Sequence, residues 1–390
     1  MRLVGLPRVG IVGGGQLCRM MIEAALPLGI EVCVLRRSTD ESTSWWGNSV
    51  VGDLGDPDAA SRFAELIDVA TFDTEPSSLA PLADLVATGV ELRPGPFTFR
   101  YTDKARQRRL LGRAGFPVPE YVILRSPAQV GDTLKLWGGP VVWKAATGGF
   151  DGRGVLMTDD QREAESFVAG CQSVVVAEPL LALDLELAVL VARSVTGETM
   201  TYPTLITEQV EGMCHTVVMD PDLDPVLDRR ARDLAVQIAH ETDSVGVLAV
   251  ELFLVGGQLI INELAPRPHN SGHLTIEACV TSQFEQHVRA VAGLPLGDTS
   301  PLHPAAVMVN IAGAADPTGD GLAAALSVGG DHVHLYGKTA RPQRKIGHVT
   351  SVGHDVSALR ARAQRAATAI EAGAGPGQPA VGATTGATDK

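Results

Sequence analysis

At 390 residues, 45% of them hydrophobic and 20% charged, the chain is long enough for two or three domains with cores of ordinary composition. A net charge of −13 and a pI near 5.2 disfavour nonspecific nucleic-acid binding, so any phosphate chemistry must rest on a local concentration of basic residues. Five scattered cysteines, Cys18, Cys33, Cys171, Cys214 and Cys279, read as reduced residues and not as a disulfide frame or zinc site; no apolar run has membrane-spanning length and no signal peptide is seen, so the expectation is a cytoplasmic protein with no membrane or nucleic-acid partner.

From the N-terminus, Arg8 to Val12, the turn Gly13-Gly14-Gly15-Gln16-Leu17, the run Met20 to Ala25 and then Glu31 to Leu35 predict strand, glycine turn, helix and strand. Val69 to Phe72 and Leu79 to Thr88 extend this, giving a doubly wound parallel-sheet domain over residues 1–103. The glycine turn with Arg36 and Arg37 invites an NADP reading, but Cys18 stands where the dinucleotide fingerprint needs Gly or Ala for close helix packing. A phosphate or polar ligand at the helix N-terminus is the reading that survives.

A basic amphipathic helix from Asp103 to Ala114 leads through residues 115–119 to Val141-Val142-Trp143-Lys144, and a small α+β unit is expected over 104–178. Lys144 ends a predicted strand, and the loop to Val155 holds four glycines, Gly148, Gly149, Gly152 and Gly154. Such a loop can lay backbone N–H groups around phosphates while the lysine adds a point charge, although the ending of a Walker A loop is absent. Glu178 and Glu186 bracket a connector of the sort that lines an adenine and ribose pocket.

The largest part is expected over 179–372, mainly antiparallel. Its strands are Glu186 to Arg193, Thr199 to Tyr202 and Thr216 to Met219, followed by a helix from Asp228 to Glu241 with Leu234 and Ile238 on its buried face. Two apolar runs in Gly246 to Ala265, joined at Gly256-Gly257, then predict a β-hairpin. A two-residue loop would set Glu251 against Asn262, whereas a three-residue Gly256-Gly257-Gln258 loop sets Glu251 against Glu263. We expect the three-residue loop. Like charges facing on a buried surface are destabilising, so the pair makes sense with a hard divalent cation such as Mg²⁺ between them. Arg267 to His273 reads as a polar binding loop, since Pro268 and Gly272 oppose a helix that would align the two histidines for a metal. After Asn310 short strands and turns are expected, with a basic cluster at Lys338, Arg341, Arg344 and Lys345 suited to phosphate. Residues 373–390 are rich in Gly, Ala, Pro and Thr and are expected to be a disordered tail.

Four motifs together resemble the ATP-grasp enzymes, and more closely the 5-(carboxyamino)imidazole ribonucleotide synthetase family. They are Gly13-Gly14-Gly15-Gln16-Leu17, Gly148 to Gly154, Asn262 to His273, and Tyr336-Gly337-Lys338 with Arg344 to His348. Ala265, two residues past Glu263, stands where general ATP-grasp proteins usually carry Asn and is similar to this subgroup. The resemblance implies an ATP-grasp fold and carboxylation of 5-aminoimidazole ribonucleotide by ATP and bicarbonate through carboxyphosphate, in a homodimer.

By the same resemblance Lys104, Lys144 and the loop Gly149, Phe150, Asp151, Gly152, Arg153, Gly154 and Val155 would hold ATP phosphates. Glu178, Leu181, Glu186 and Gln209 would hold adenine and ribose; Asn262 would support the nucleotide, and Glu251 and Glu263 would hold Mg²⁺. Asp151, Lys338 and Arg344 would act in catalysis. Gln16, Leu17, Glu75, Arg267, His269, Asn270 and Lys345 would complete the ribotide pocket with Lys338 and Arg344. The family's usual Tyr, Gly and His are replaced here by Phe150, Cys18 and Gln209. The alternatives are another ATP-grasp ligase, such as a formate-using glycinamide ribotide transformylase, and an NADP-dependent oxidoreductase.

Overall fold

The computed structural model describes residues 5–76, 78–148, 154–313, 316–329 and 331–372. The first unit alternates β1 (Val9–Val12), α1 (Gln16–Ala25), β2 (Val32–Arg36), β3 (Ser49–Val51), α2 (Pro57–Leu66), β4 (Val69–Phe72), α3 (Ala80–Ala87) and β5 (Glu91–Leu92). All pairings are parallel, in the order β3-β2-β1-β4-β5. The order reverses between β1 and β4, so the crevice beyond their C-terminal ends is the natural ligand position. The glycine turn after β1 and Asp73 to Glu75 after β4 border that crevice.

Helix α4 (Lys104–Arg113) starts where expected, with the Asp103 carboxylate accepting from Arg106 N–H at its N-cap. Next come β6 (Val122–Leu124), α5 (Val130–Trp137), β7 (Val141–Ala145), β8 (Val155–Thr158), α6 (Gln161–Gly170) and β9 (Val175–Pro179). These strands form an antiparallel sheet, β6-β9-β7-β8, that packs α5 and α6 around a buried Trp143. Lys144 near the end of β7 and Glu178 near the end of β9 thus lie on adjacent strands.

The third unit runs β10 (Leu185–Arg193), β11 (Thr199–Thr201), β12 (Leu205–Val210), β13 (Met213–Met219), α7 (Pro225–Glu241), β14 (Gly246–Val255), β15 (Gln258–Ala265), α8 (Thr275–Ala278), α9 (Gln283–Val291), β16 (Ala305–Gly313), α10 (Gly319–Ser327), β17 (Asp331–Leu335), β18 (Arg344–Gly353) and α11 (Val356–Ala372). Its antiparallel sheet has the order β15-β14-β10-β12-β13-β16-β18-β17, with β11 beside β10. Helix α9 packs on α1, so one apolar cluster joins Met21 and Ile22 of the first unit to Phe284, Val288 and Val291 of the third. Among the described helices none is long and apolar enough to cross a membrane.

Three expectations need correction. Strand β12 was not foreseen because Thr207, Glu208 and Gln209 interrupt apolar alternation, and a bulge lies between Glu208 and Gln209. The region after Asn310 holds two helices as well as strands; the buried face of α11 is Leu359, Ala363, Ala366, Ala367 and Ile370, a helical spacing written mostly in alanine. The hairpin β14-β15 turns on two residues, not three, for Val255 pairs with Gln258. Gly256 and Gly257 have φ of 54° and 77°, the two positive values of a type I′ turn, whose twist matches the strands.

Candidate active site

The two-residue turn by itself would set Glu251 against Asn262. The ladder instead steps from Leu252 opposite Ile261 to Glu251 opposite Glu263, leaving Asn262 as an extra residue in a β-bulge. The expected facing of the glutamates therefore holds, through a bulge inside β15. A bulge also turns Asn262 toward the same side, where its Nδ2 donates to Glu251 Oε2 at 3.2 Å. Its freed carbonyl accepts from Arg108 Nη2 at 2.7 Å, and the N–H of Ile261 donates to Pro117 O at 2.8 Å. The backbone groups that left the ladder are thus satisfied by α4 and the segment after it.

Two lysines converge on this pair. Lys104 Nζ meets Glu263 Oε1 at 2.5 Å, and Lys144 Nζ donates to Asn262 Oδ1 at 3.1 Å while pairing with Glu178 Oε2 at 2.7 Å. Burial, and then the charge of Glu263, push the Glu251 carboxyl up to about 7. Burial alone would also raise Glu263, but the charge and hydrogen bond of Lys104 outweigh it and hold Glu263 below the usual carboxylate range. One proton is therefore shared unequally, with Glu251 taking it first. Water reaches both through the cleft, their side chains being 31% and 42% exposed. His269 Nε2 lies 3.4 Å from Glu251 Oε1.

Glu178 is enclosed. Arg108 Nε donates to its Oε1 at 2.5 Å and Lys144 holds the other oxygen, so its carboxylate faces the two cations and not an open pocket. Burial opposes its charge, yet Arg108 and Lys144 keep it below the ordinary range, while burial pulls Lys144 down. Glu186, half-buried on β10, accepts from Gln209 across the neighbouring β12. Leu181 is half-buried in the connector ahead of β10, and Val155 opens β8. Gly149, Phe150, Asp151, Gly152 and Arg153 lie outside the described residues; Gly154 N-terminal to β8 is described.

The residues expected to meet the ribotide gather on the other side. Gln16, the first residue of α1, contacts Lys338 from the third unit, and Leu17 beside it is buried. Glu75 pairs with Arg267 at 2.8 Å, again joining first and third units. Asn270 and Asn310 exchange hydrogen bonds of 2.9 and 2.7 Å, and Lys345 Nζ approaches Asn270 Oδ1 at 3.5 Å. Arg344 pairs with Glu41 at 3.2 Å and donates to the Thr339 carbonyl at 2.8 Å. A cavity of about 170 Å³ lies beside this group, lined by Lys345, Asn310, Cys214 and His215 among others.

At the N-terminus of α1 the Gly15 N–H is taken by the protein itself, while Gln16 and Leu17 remain residues expected to meet a polar ligand. The Asp73 carboxylate already accepts from Gly15 N–H at 2.5 Å and from Thr74 Oγ1 at 2.9 Å. Gly13, at φ 102°, has no room for a side chain because a Cβ would meet Asp73 Oδ1 at 1.8 Å. An anion of the protein fills the place of a dinucleotide phosphate, and burial raises that carboxyl to about 6. Sequence reading missed Asp73, Asn310, Glu41 and Arg108. Two of these had a signal: Asp73 follows a strand that borders the glycine turn, and Arg108 lies four residues after Lys104, on the same helix face.

Comparisons with known proteins identify the family. Residues 6–102 match the Ribonucleotide synthetase preATP-grasp domain, 109–284 the ATP-grasp domain, and 306–362 the Phosphoribosylaminoimidazole carboxylase C-terminal domain. An N5-carboxyaminoimidazole ribonucleotide synthase from Mycobacterium tuberculosis (strain ATCC 25618 / H37Rv) is 42% identical over 373 residues, covering 93% of this chain and 87% of the relative. The crystal structure of carboxyaminoimidazole ribonucleotide synthase from Aspergillus clavatus complexed with ATP superposes with a TM-score of 0.86 at 31% identity, over 94% of this chain and 98% of that one. A second structure from that organism, in complex with ADP and 5-aminoimidazole ribonucleotide, gives 0.85 at 30% identity over 94% and 99%. The fold is that of the ATP-grasp enzymes with a preceding parallel-sheet domain, and the chain belongs to the N5-carboxyaminoimidazole ribonucleotide synthase family of ATP-dependent ligases.

Proposed function

We propose that this chain carboxylates 5-aminoimidazole ribonucleotide with ATP and bicarbonate, a step of purine biosynthesis, and that its residues divide the work as follows. The carrying observation is the bulged hairpin: Glu251, Asn262 and Glu263 on one face, with Lys104 and Lys144 against them. Lys104 and Lys144 take the phosphates of ATP, with Val155 and the loop Gly149 to Gly154 covering them. Leu181, Glu186 and Gln209 take adenine and ribose. Glu178 supports the nucleotide through Lys144.

The donor set fits Mg²⁺. Two facing carboxylates, one of them driven to hold a proton in the bare pair, suit a hard dication that completes its shell with water and phosphate oxygens. Among the described residues no cluster of three such side chains offers an all-protein cage. Glu251 and Glu263 would hold the ion, which supplies charge neutralisation at the transferring phosphate.

Bicarbonate is a poor electrophile until an oxygen is phosphorylated. Attack of that oxygen on the γ-phosphorus of ATP forms carboxyphosphate and releases ADP; the exocyclic amine of the ribotide then bonds to the carboxyl carbon as inorganic phosphate leaves. Lys338 and Arg344 hold the carboxyphosphate charge, and Asp151 accepts the amine proton. Gln16, Leu17, Glu75, Arg267, His269, Asn270 and Lys345 orient the ribotide, between the first and third units.

ADP release that depends on both 5-aminoimidazole ribonucleotide and bicarbonate tests this reading. Release with glycinamide ribotide and formate instead would overturn it. The assembly proposed from the resemblance is a homodimer, which sedimentation velocity reads directly. Cys18, Cys33, Cys171 and Cys279 are free thiols, in keeping with a proposed cytoplasmic setting.

A further inference from the structure

Arg108 is a buried cation with no access to a ligand, its side chain being 1% exposed. It nevertheless touches both halves of the nucleotide site. Nε donates to Glu178 Oε1 at 2.5 Å, on β9 of the small sheet, and Nη2 donates to the Asn262 carbonyl at 2.7 Å, in the bulge of β15. Its Nη1 donates to Gln107 Oε1 at 3.1 Å, and Gln107 is fixed in turn by the Tyr101 carbonyl at 2.7 Å. The planar fork of a guanidinium spreads its donors over three nitrogens, a span that the single nitrogen of an ammonium does not cover.

The charges around it explain why it is there. Glu178, 4% exposed, has two counter-charges, Arg108 and Lys144, while Lys144 is 11% exposed and also reaches Asn262. When Lys144 turns toward a phosphate, Glu178 must keep a cation, since an unpaired buried carboxylate is costly. Only Arg108 remains to serve it.

We propose that Arg108 is a positioning residue that releases Lys144 for ATP: it neutralises Glu178 from behind and pins the Asn262 carbonyl that defines the bulge. This rests on the assignment of Lys144 to the ATP phosphates made above. Without Arg108, Lys144 becomes the sole counter-ion of Glu178 and is held back from the nucleotide.

The test is calorimetric binding of a non-hydrolysable ATP analogue with Mg²⁺ to three variants, with melting temperatures alongside. Arg108→Gln is expected to raise Kd by roughly 10–100-fold, the scale of one charge-assisted hydrogen bond. Adding Glu178→Gln to it removes the carboxylate that captures Lys144 and should recover about tenfold of that loss, a rescue that a packing role would not give. Arg108→Lys keeps the charge, loses the Asn262 contact and should fall between. Unchanged affinity in Arg108→Gln, or a double variant binding no better than the single one, overturns the proposal. Should Arg108→Gln alone fail to fold, parent-like affinity in Arg108→Lys, or a double variant that binds no better than Arg108→Lys, overturns it equally. A parent enzyme that binds the analogue but shows no bicarbonate-dependent turnover removes the reaction assigned above, and the affinity comparison still stands.

Discussion

Glu251 lies directly across the β14-β15 ladder from Glu263, although the turn that joins their strands would by itself set Glu251 against Asn262. One extra residue, Asn262, makes the difference. Glu263→Gln leaves Lys104 a neutral acceptor and should keep the fold, while carboxylation falls about 100-fold or more, as expected when a group that holds charge at a transferring phosphate is lost. Steady-state ADP release at saturating substrates checks this, and unchanged turnover would remove the metal assignment.

Lys338→Ala should abolish carboxylation while leaving ATP binding intact. Its ammonium contacts Gln16 and lies 5.8 Å from the centre of the Tyr336 ring, on the side proposed for the ribotide and not among the contacts of Lys104 and Lys144. Calorimetry with ADP, set beside turnover, separates the two effects. An equal loss of nucleotide affinity would place that lysine wrongly.

Much of this was legible in the chain. The βαβ opening, α4 with its Asp103 cap, and the hairpin are local patterns of period, cap and turn, which sequence states directly. The facing of Glu251 and Glu263 was also expected, but for the wrong reason, because a bulge costs one residue and leaves no periodic mark beyond the polar Asn262 inside an apolar strand. Arg108 and Asp73 escaped for a different cause. Their roles come from groups distant in sequence, Glu178 and Gly15, that only the packed fold brings within hydrogen-bond reach. The helices after Asn310 were missed because alanine carries a weak apolar signal even where, as at Ala363, Ala366 and Ala367, it is wholly buried.

Turn chemistry at the hairpin tip gives a test of the corrected loop. Gly256→Asn should be nearly neutral, since Asn-Gly is a preferred type I′ pair, whereas Gly257→Val should cost about 1–2 kcal/mol for a branched residue at positive φ. Urea unfolding midpoints decide it. A destabilising Gly256→Asn would argue against two residues in the turn.

Acid should weaken the fold through buried histidines. His287 is pulled from 6.5 to about 3 by burial; its Nδ1 accepts from Val247 N–H at 3.0 Å, so its Nε2–H donates to Thr71 Oγ1 at 2.7 Å, across the junction of first and third units. Burial lowers His273 and His348 well below their ordinary value too. A folded-state pKa below the unfolded one means that the unfolded chain takes up the proton first. The stability from neutral His287 is therefore full above about pH 6.5 and is lost as pH falls toward 3, by about 1.4 kcal/mol per pH unit for one histidine. Asp73 runs the other way: raised to about 6, it favours the fold below its ordinary value of 3.8 and loses that contribution as pH rises through 6. Denaturant titrations from pH 7 to 4 should show a shallower acid loss for His287→Gln than for the parent. Parallel curves would count against a neutral buried His287.

Between the Gly256-Gly257 turn and the bulge stand four regular rungs, Val255 with Gln258, Leu254 with Leu259, Phe253 with Ile260, and Leu252 with Ile261. At about 3.4 Å per residue they put some ~14 Å of ladder between tip and carboxylates. Register is set twice along this hairpin, once by the turn and again by the bulge, and Arg108 and Pro117 grip the second point. The tip is therefore a graft point: a peptide loop or a fluorophore-bearing insertion placed between Gly256 and Gly257 sits outside the part of the strand pair that aims the glutamates. A single residue added within the four rungs has no such insulation, because it inverts every side chain between the insertion and the bulge.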